Sequence, residues 1–186
     1  MEIRNITTLP TDSIISRDAT DQRRIDRMEN KFRELVEKSS PANPTAVFIG
    51  SEMTRKTDKW KRVTPISDRE PENYDFWAEN LTSNVQPNSV DAVEIDASYL
   101  DMSKLGEIAP LFESASSVLR DEGIIRVNIS TAQFQDSDKK TRYSYLQNCI
   151  TQNGLKPLII LEDAHQKVET RRDGSTIQAI TIFAQK

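Results

Sequence analysis

Hydrophobic residues along this chain fall into short blocks with two different periods. Thr45-Ala-Val-Phe-Ile-Gly50, Ser89-Val-Asp-Ala-Val-Glu-Ile95, Ile124-Ile-Arg-Val-Asn-Ile129, Lys156-Pro-Leu-Ile-Ile-Leu161 and Thr176-Ile-Gln-Ala-Ile-Thr-Ile-Phe183 are compact and rich in β-branched residues, as strands are. Trp60-Lys-Arg-Val-Thr-Pro-Ile66 reads as a further short strand. Pro65 sets it near an edge or at its end, since proline has no N–H to give a ladder. Three stretches repeat at helical spacing instead. In 20–38, Ile25, Met28, Phe32, Leu35 and Val36 share a face opposite Arg23, Arg24, Arg27, Glu29, Lys31, Glu34 and Lys38. In 102–120 the inward set is Leu105, Ile108, Ala109, Phe112, Ala115 and Leu119. In 139–153 it is Tyr143, Leu146, Cys149 and Ile150, and Asn153-Gly154 closes the helix because both tolerate the left-handed conformation of a helix end. Asp75 to Leu81 suits either a short strand or a turn of helix.

From Thr45 the order is strand, strand, strand, helix, strand, helix, strand, strand. Strands alternating with helices make parallel sheets. The last two strands have no helix between them, only the charged connection Glu162 to Ser175 with its Asp173-Gly174 turn, and so should form an antiparallel hairpin. The expected division is an N-terminal arm and helix, 1–44, and an α/β domain, 45–186. Residues 1–19 are polar and expected to be extended. The apolar stripe of 20–38 suits packing on its own domain or docking on a partner chain, since partner helices use the same anchors.

Charge and composition narrow the function classes. The net charge of -4 and the absence of a basic excess argue against nucleic acid, although Arg55 to Arg62 is locally basic around Trp60. No apolar run nears the roughly 20 residues that span a bilayer, and Met1 to Pro10 has no signal-peptide core, so a cytoplasmic location without membrane association is expected. Cys149 is the single cysteine and reads as a buried thiol. His165, the single histidine, falls in the charged connection and reads as a solvated loop residue. Glu162 and Asp163 beside it make a weak ligand set, so no metal is expected. Neither G-x-S-x-G nor a P-loop is present. Asp91, Asp96 and Asp101 cluster around the 89–95 strand, and Asp96 suits a turn cap as well as an acceptor contact. Trp60, Tyr74, Phe76 and Trp77 suit the edge of a core as well as an aromatic wall.

Several pieces, in order, resemble the class I S-adenosylmethionine-dependent methyltransferases, in particular the small type 11-like group whose first motif reads L-N-L-G-C-G. Ala46 to Ser51 is similar to the first strand and its glycine, Trp60 to Ile66 to "gw.nvDi", and Asn88 to Val93 to "nSvD.v". Leu100-Asp101 is similar to the "LE" of "HvLEH", and Ser117 to Gly123 to "RvLkpGG". The likeness covers 45–186. It implies a Rossmann-like methyltransferase fold: a mostly parallel sheet with an antiparallel C-terminal hairpin and helices on both faces. It also implies S-adenosylmethionine as cofactor, with Gly50 and Ser51 in the loop under its methionine part, Asp68 near the ribose, Asn80 where an acid faces the adenine amino group, and Asp96 near the methyl acceptor.

The departures from that pattern fall on the ligand positions. The loop Gly50-Ser51-Glu52-Met53-Thr54 has one glycine, where a β-carbon would collide with ligand or forbid the backbone angles. Pro65-Ile66-Ser67 stands where the ribose acid ends the second strand, with Asp68 two residues late. Ser98 and Met102 replace both histidines of "HvLEH", and Glu122 replaces a glycine of the "GG" pair. The expectation is a non-catalytic binding or assembly module without cofactor, attached to a protein partner or a second copy through residues 1–38. The alternative is an active methyltransferase of unknown acceptor.

Overall fold

The computed structural model describes residues 17–40, 42–49, 60–63, 74–97, 108–130, 134, 138–168 and 177–186. Residues 1–16 of the arm, the cofactor loop with Gly50 and Ser51, the basic stretch from Arg55 to Lys59, Pro65 to Asp68, Ser98 to Met102, Leu105 and the Asp173-Gly174 turn lie outside them; residues 17–19, expected to be extended, are helical.

Six strands form one sheet: β1 (Thr45–Ile49), β2 (Lys61–Val63), β3 (Val90–Ala97), β4 (Leu119–Ser130), β5 (Lys156–Val168) and β6 (Ile177–Gln185). Their order is β2-β1-β3-β4-β6-β5. The first four are parallel, and β6 runs antiparallel to both β4 and β5. The mostly parallel sheet with a closing hairpin is as expected. The helices are α1 (Arg17–Ser39), α2 (Tyr74–Asn84), α3 (Ala109–Val118) and α4 (Lys139–Gln152).

Alternation along the strands sends side chains to two different layers. On one face Val47, Ile49, Val93, Ile95, Ile125, Val127, Ile129, Ile180 and Ile182 pack under α2, α3 and α4, through Leu81, Leu111, Phe112, Leu146 and Ile150 among others. On the other face Ala46, Phe48, Ala92, Ile124 and Phe183 pack with Trp60 under α1, through Phe32 and Val36. Phe32 stacks edge-on to Trp60 at 5.7 Å between ring centres and lies 6.3 Å from Phe183. The apolar stripe read in 20–38 is thus engaged with this chain's own sheet, and Trp60 belongs to the core.

Two boundaries differ from the sequence reading, and one open alternative is decided. Asp75 to Leu81 is helical, within α2. The 102–120 helix is described only from Ala109, with Pro110 in its first turn, and it stops at Val118. Leu119 and Arg120 already belong to β4, because Leu119 pairs with Val90 before an irregularity that resumes at Ala92 and Ile124. The charged connection after Leu161 is partly strand: β5 continues to Val168, with Asp163 opposite Ala179 and Val168 opposite Ile177. The backbone of His165 is therefore in a strand and not in a loop. β5 is an edge strand, where charged residues are tolerated and even protective.

Asp138 caps α4 by accepting from the Thr141 N–H at 2.7 Å, and Gly154 sits at φ 72° just past its end. Cys149 is buried on the inner side of this helix.

Candidate functional site

In an open α/β sheet a ligand sits outside the carboxyl ends of the strands, where the strand order reverses. Here that point lies between β1 and β3. β1 ends at Ile49, paired with Ile95, and β3 continues through Asp96 to Ala97. Asp96 is half-buried, opposite Asn128 of β4, on the α1 side of the sheet. Asn80 is on α2, one turn before the helix end. The Asn84 Nδ2 donates to the Asn80 carbonyl at 3.0 Å and lies 3.4 Å from Asn80 Oδ1. Leu81 and Val85 of the same segment pack into the other layer. The sheet therefore separates the helix bearing Asn80 from the side chain of Asp96, and the two are not brought together. Gly50, Ser51 and Asp68 are outside the described residues.

The motif residues that are described do structural work at the opposite, amino edge. Asp91, the acid of the "nSvD.v" likeness, is buried, and its carboxylate accepts from the Thr45 N–H at 2.7 Å, with Arg120 Nη1 at 3.4 Å. It ties the starts of β1 and β3 to β4. Asn88 is left-handed at φ 52°, and its Oδ1 accepts from Lys186 Nζ at 2.6 Å. Ser89 Oγ donates to the Gln86 carbonyl at 2.6 Å. The Asn-Ser-x-Asp sequence is a turn-and-tie that starts β3, not a ligand set.

The sequence reading missed a polar group on the α1 face. Row by row, Glu94 of β3 faces Arg126 of β4, and Asp96 faces Asn128, which in turn faces Thr181 of β6. Arg126 Nη1 donates to Glu94 Oε1 at 2.9 Å, with both side chains almost wholly buried. Thr181 Oγ1 donates to Asn128 Oδ1 at 2.9 Å. Arg126 Nε is buried with no hydrogen-bond partner. The signal available in the sequence was a charge between two apolar neighbours in each strand, Val-Glu-Ile at 93–95 and Ile-Arg-Val at 125–127. Among the described residues no three His, Cys, Asp or Glu side chains converge as metal ligands, and no helix is long and apolar enough to cross a membrane.

No protein-family model matches the chain, and no curated protein matches its sequence. Solved structures do. A protein assigned as a sarcosine dimethylglycine methyltransferase of Galdieria sulphuraria superposes with a TM-score of 0.51 at 8% identity, over 90% of this chain and 85% of that one. The 1,6-didemethyltoxoflavin-N1-methyltransferase of Burkholderia thailandensis, solved with its substrate and S-adenosylhomocysteine, gives 0.49 at 11% identity over 95% and 93%. A geranyl diphosphate C-methyltransferase of Streptomyces coelicolor gives 0.47 at 16% over 94% and 85%. The fold of this chain is the class I methyltransferase-like, Rossmann-like fold.

Proposed function

We propose that this chain is a methyltransferase-fold module that works by binding another macromolecule rather than by transferring a methyl group. The observation that carries this reading is the loop after β1, Gly50-Ser51-Glu52-Met53-Thr54, which has a single glycine where close backbone approach to a nucleoside needs more. Pro65-Ile66-Ser67 in place of a ribose-binding acid supports it. The partner is a protein or a second copy. Because Phe32 and Val36 are committed to the sheet, attachment uses residues 1–16 and the outward polar side of α1, where Arg27, Glu34 and Glu37 are exposed or half-exposed along with Lys38.

Calorimetric titration of the full chain with S-adenosylhomocysteine tests this. We expect no heat and no thermal shift at ligand concentrations of about 1 mM, whereas a dissociation constant of about 1–10 µM would overturn the reading.

A second reading, an active methyltransferase, is favoured by one residue. Asp96 is half-buried at the end of β3, beside the point where the strand order reverses. Methyl transfer needs chiefly an in-line arrangement of nucleophile and sulfonium, so it demands no fixed catalytic set. On this reading S-adenosylhomocysteine binds, and Asp96→Asn should lower methyl transfer while leaving that binding intact.

A further inference from the structure

The sheet has two edges of unlike kind. β2 is three residues long and opens on Lys61-Arg62, and a strand so short and charged offers a foreign strand little to pair with. β5, at the other edge, has 13 residues and pairs with β6 alone among the described residues. Its centre is the apolar run Leu158-Ile-Ile-Leu161. Leu158 and Ile159 pack in part against the layer under α1, Ile160 belongs to the opposite layer, and Leu161 is half-buried. A strand bonded on one side only leaves backbone N–H and C=O groups pointing outward, a template for another strand. Proteins guard such an edge with charge, proline or an irregular ladder. β5 has all three in Lys156, in Pro157 with the irregularity that follows it, and in Glu162-Asp163. They flank the apolar centre and leave it open.

The spacing of these guards is the second, independent indication. Counted on its β6 partners, β5 from Lys156 to Asp163 fills the rungs from Gln185 to Ala179, and Leu158 is the extra residue of the irregularity. Ile160, opposite Ile182, is the middle rung. A second copy joined antiparallel, edge to edge, is related by a twofold axis through the sheet. Residues sharing a rung face the same way only when that axis passes through a residue. With the axis at Ile160, Ile160 meets itself, Ile159 meets Leu161, Pro157 meets Glu162, and Lys156 meets Asp163. An axis at Leu161 would set Glu162 and Asp163 against Ile160 and Ile159, and an axis at Glu162 would set like charges together. An axis at Ile159 would set Lys156 against Leu161. Only at Ile160 does the apolar centre meet itself while opposite charges share the outer rungs.

We propose that β5 pairs with β5 of a second copy, antiparallel about Ile160, joining the two sheets into one. The occupant is a second copy because this edge is complementary to itself in both hydrophobicity and charge. An isologous contact of this kind closes at two chains and leaves no further edge of the same kind open. The surface is separate from the polar side of α1, and the inference stands whether or not a nucleoside binds beside Gly50.

Sedimentation equilibrium of the full chain is the test. We expect twice the 21.2 kDa of one chain. The dissociation constant should be about 1–50 µM, as suits a small contact. Lys156→Glu and Asp163→Lys, each alone, put like charges on both outer rungs and should weaken the dimer about tenfold or more. An equimolar mixture of the two variants restores opposite charges on both rungs. It should recover the wild-type constant to within about threefold, which a merely destabilised chain could not do. A single-chain mass at every concentration up to about 500 µM overturns the proposal. So does a dimer that neither variant weakens, or one that mixing fails to recover, since the contact then lies on another surface.

Discussion

Glu122 holds φ at 63°, a backbone region that costs a residue with a β-carbon roughly 1–2 kcal/mol. This is the position where the resembled family has a glycine, and the reason for that glycine is now visible. The Glu122 N–H donates to the Lys186 carbonyl at 3.1 Å, and Lys186 N–H returns to the Gly123 carbonyl at 3.0 Å, so the turn is clamped between the last residue and the start of the regular β4 ladder. Glu122 is exposed, and its carboxylate contributes nothing to that clamp. Glu122→Gly should therefore raise stability by about 0.5–1 kcal/mol, the relief of the strained angle being partly offset by the greater freedom of glycine in the unfolded chain. Gly123→Ala should act in the opposite sense. A β-carbon there would stand 2.9 Å from the Arg120 carbonyl oxygen and 2.9 Å from Leu119 Cδ2, and relief would require shifting backbone at a cost of about 2 kcal/mol. Urea denaturation of both variants, compared at equal slope, measures the pair. A neutral Gly123→Ala would mean that the turn is looser than the clamp implies.

At the scale of elements, the N-terminus of α4 carries a capping contact that has a pH signature. The Thr141 backbone N–H, with the Thr141 side chain second, holds the exposed Asp138 carboxyl below the ordinary carboxylate range. A depressed folded-state value means that the contribution of the cap is fully present above the unfolded value and is lost as pH falls through the folded one. Asp138→Ala should lower the melting temperature at neutral pH and converge on wild type in strong acid, while Asp138→Asn should keep most of the cap and show no such convergence. A series of thermal melts from neutral to acid pH decides it. Element order was legible in the sequence because strand and helix periods differ. Boundaries were less so. Leu119 fits the inward face of a helix and the first rung of a strand equally well, and the choice is made by Val90, a residue 29 positions away in the chain. Glu162 to Val168 looks like a loop by composition, and its pairing with β6 is a property of the sheet edge that local polarity does not report. The Glu94–Arg126 pair was overlooked for a similar reason. Each charge alone reads as one polar interruption of a strand, and only the register of β3 against β4 sets them opposite one another.

For the whole molecule the deciding feature is the unequal covering of the sheet. Three of the four described helices lie on one face, and α1 lies on the other. Its residues Phe32 and Val36 are buried completely or nearly so among Ala46, Phe48, Trp60, Ala92, Ile124 and Phe183. A sequence can show that 20–38 is amphipathic, but not which surface its apolar side will meet. That requires knowing that β1, β3, β4 and β6 lie side by side with alternate residues facing the same way. The chain leaves α1 at Ser39 and enters β1 at Thr45, so the helix must run back along the sheet from the carboxyl ends to the amino ends of the parallel strands. Its later turns, with Phe32 and Val36, lie over the apolar rows of Ala46 and Ala92. Removing α1 would expose Trp60, Phe48 and Phe183 together. Residues 45–186 produced alone should accordingly lose cooperative thermal unfolding and bind a hydrophobic dye. In the full chain, Phe32→Ala should cost about 3–5 kcal/mol, as the truncation of a buried aromatic does. A 45–186 fragment that melts sharply, at a temperature close to that of the full chain, would show instead that the sheet and the three helices on its other face fold without α1, and that the contact with Phe32 is an attachment and not part of the core.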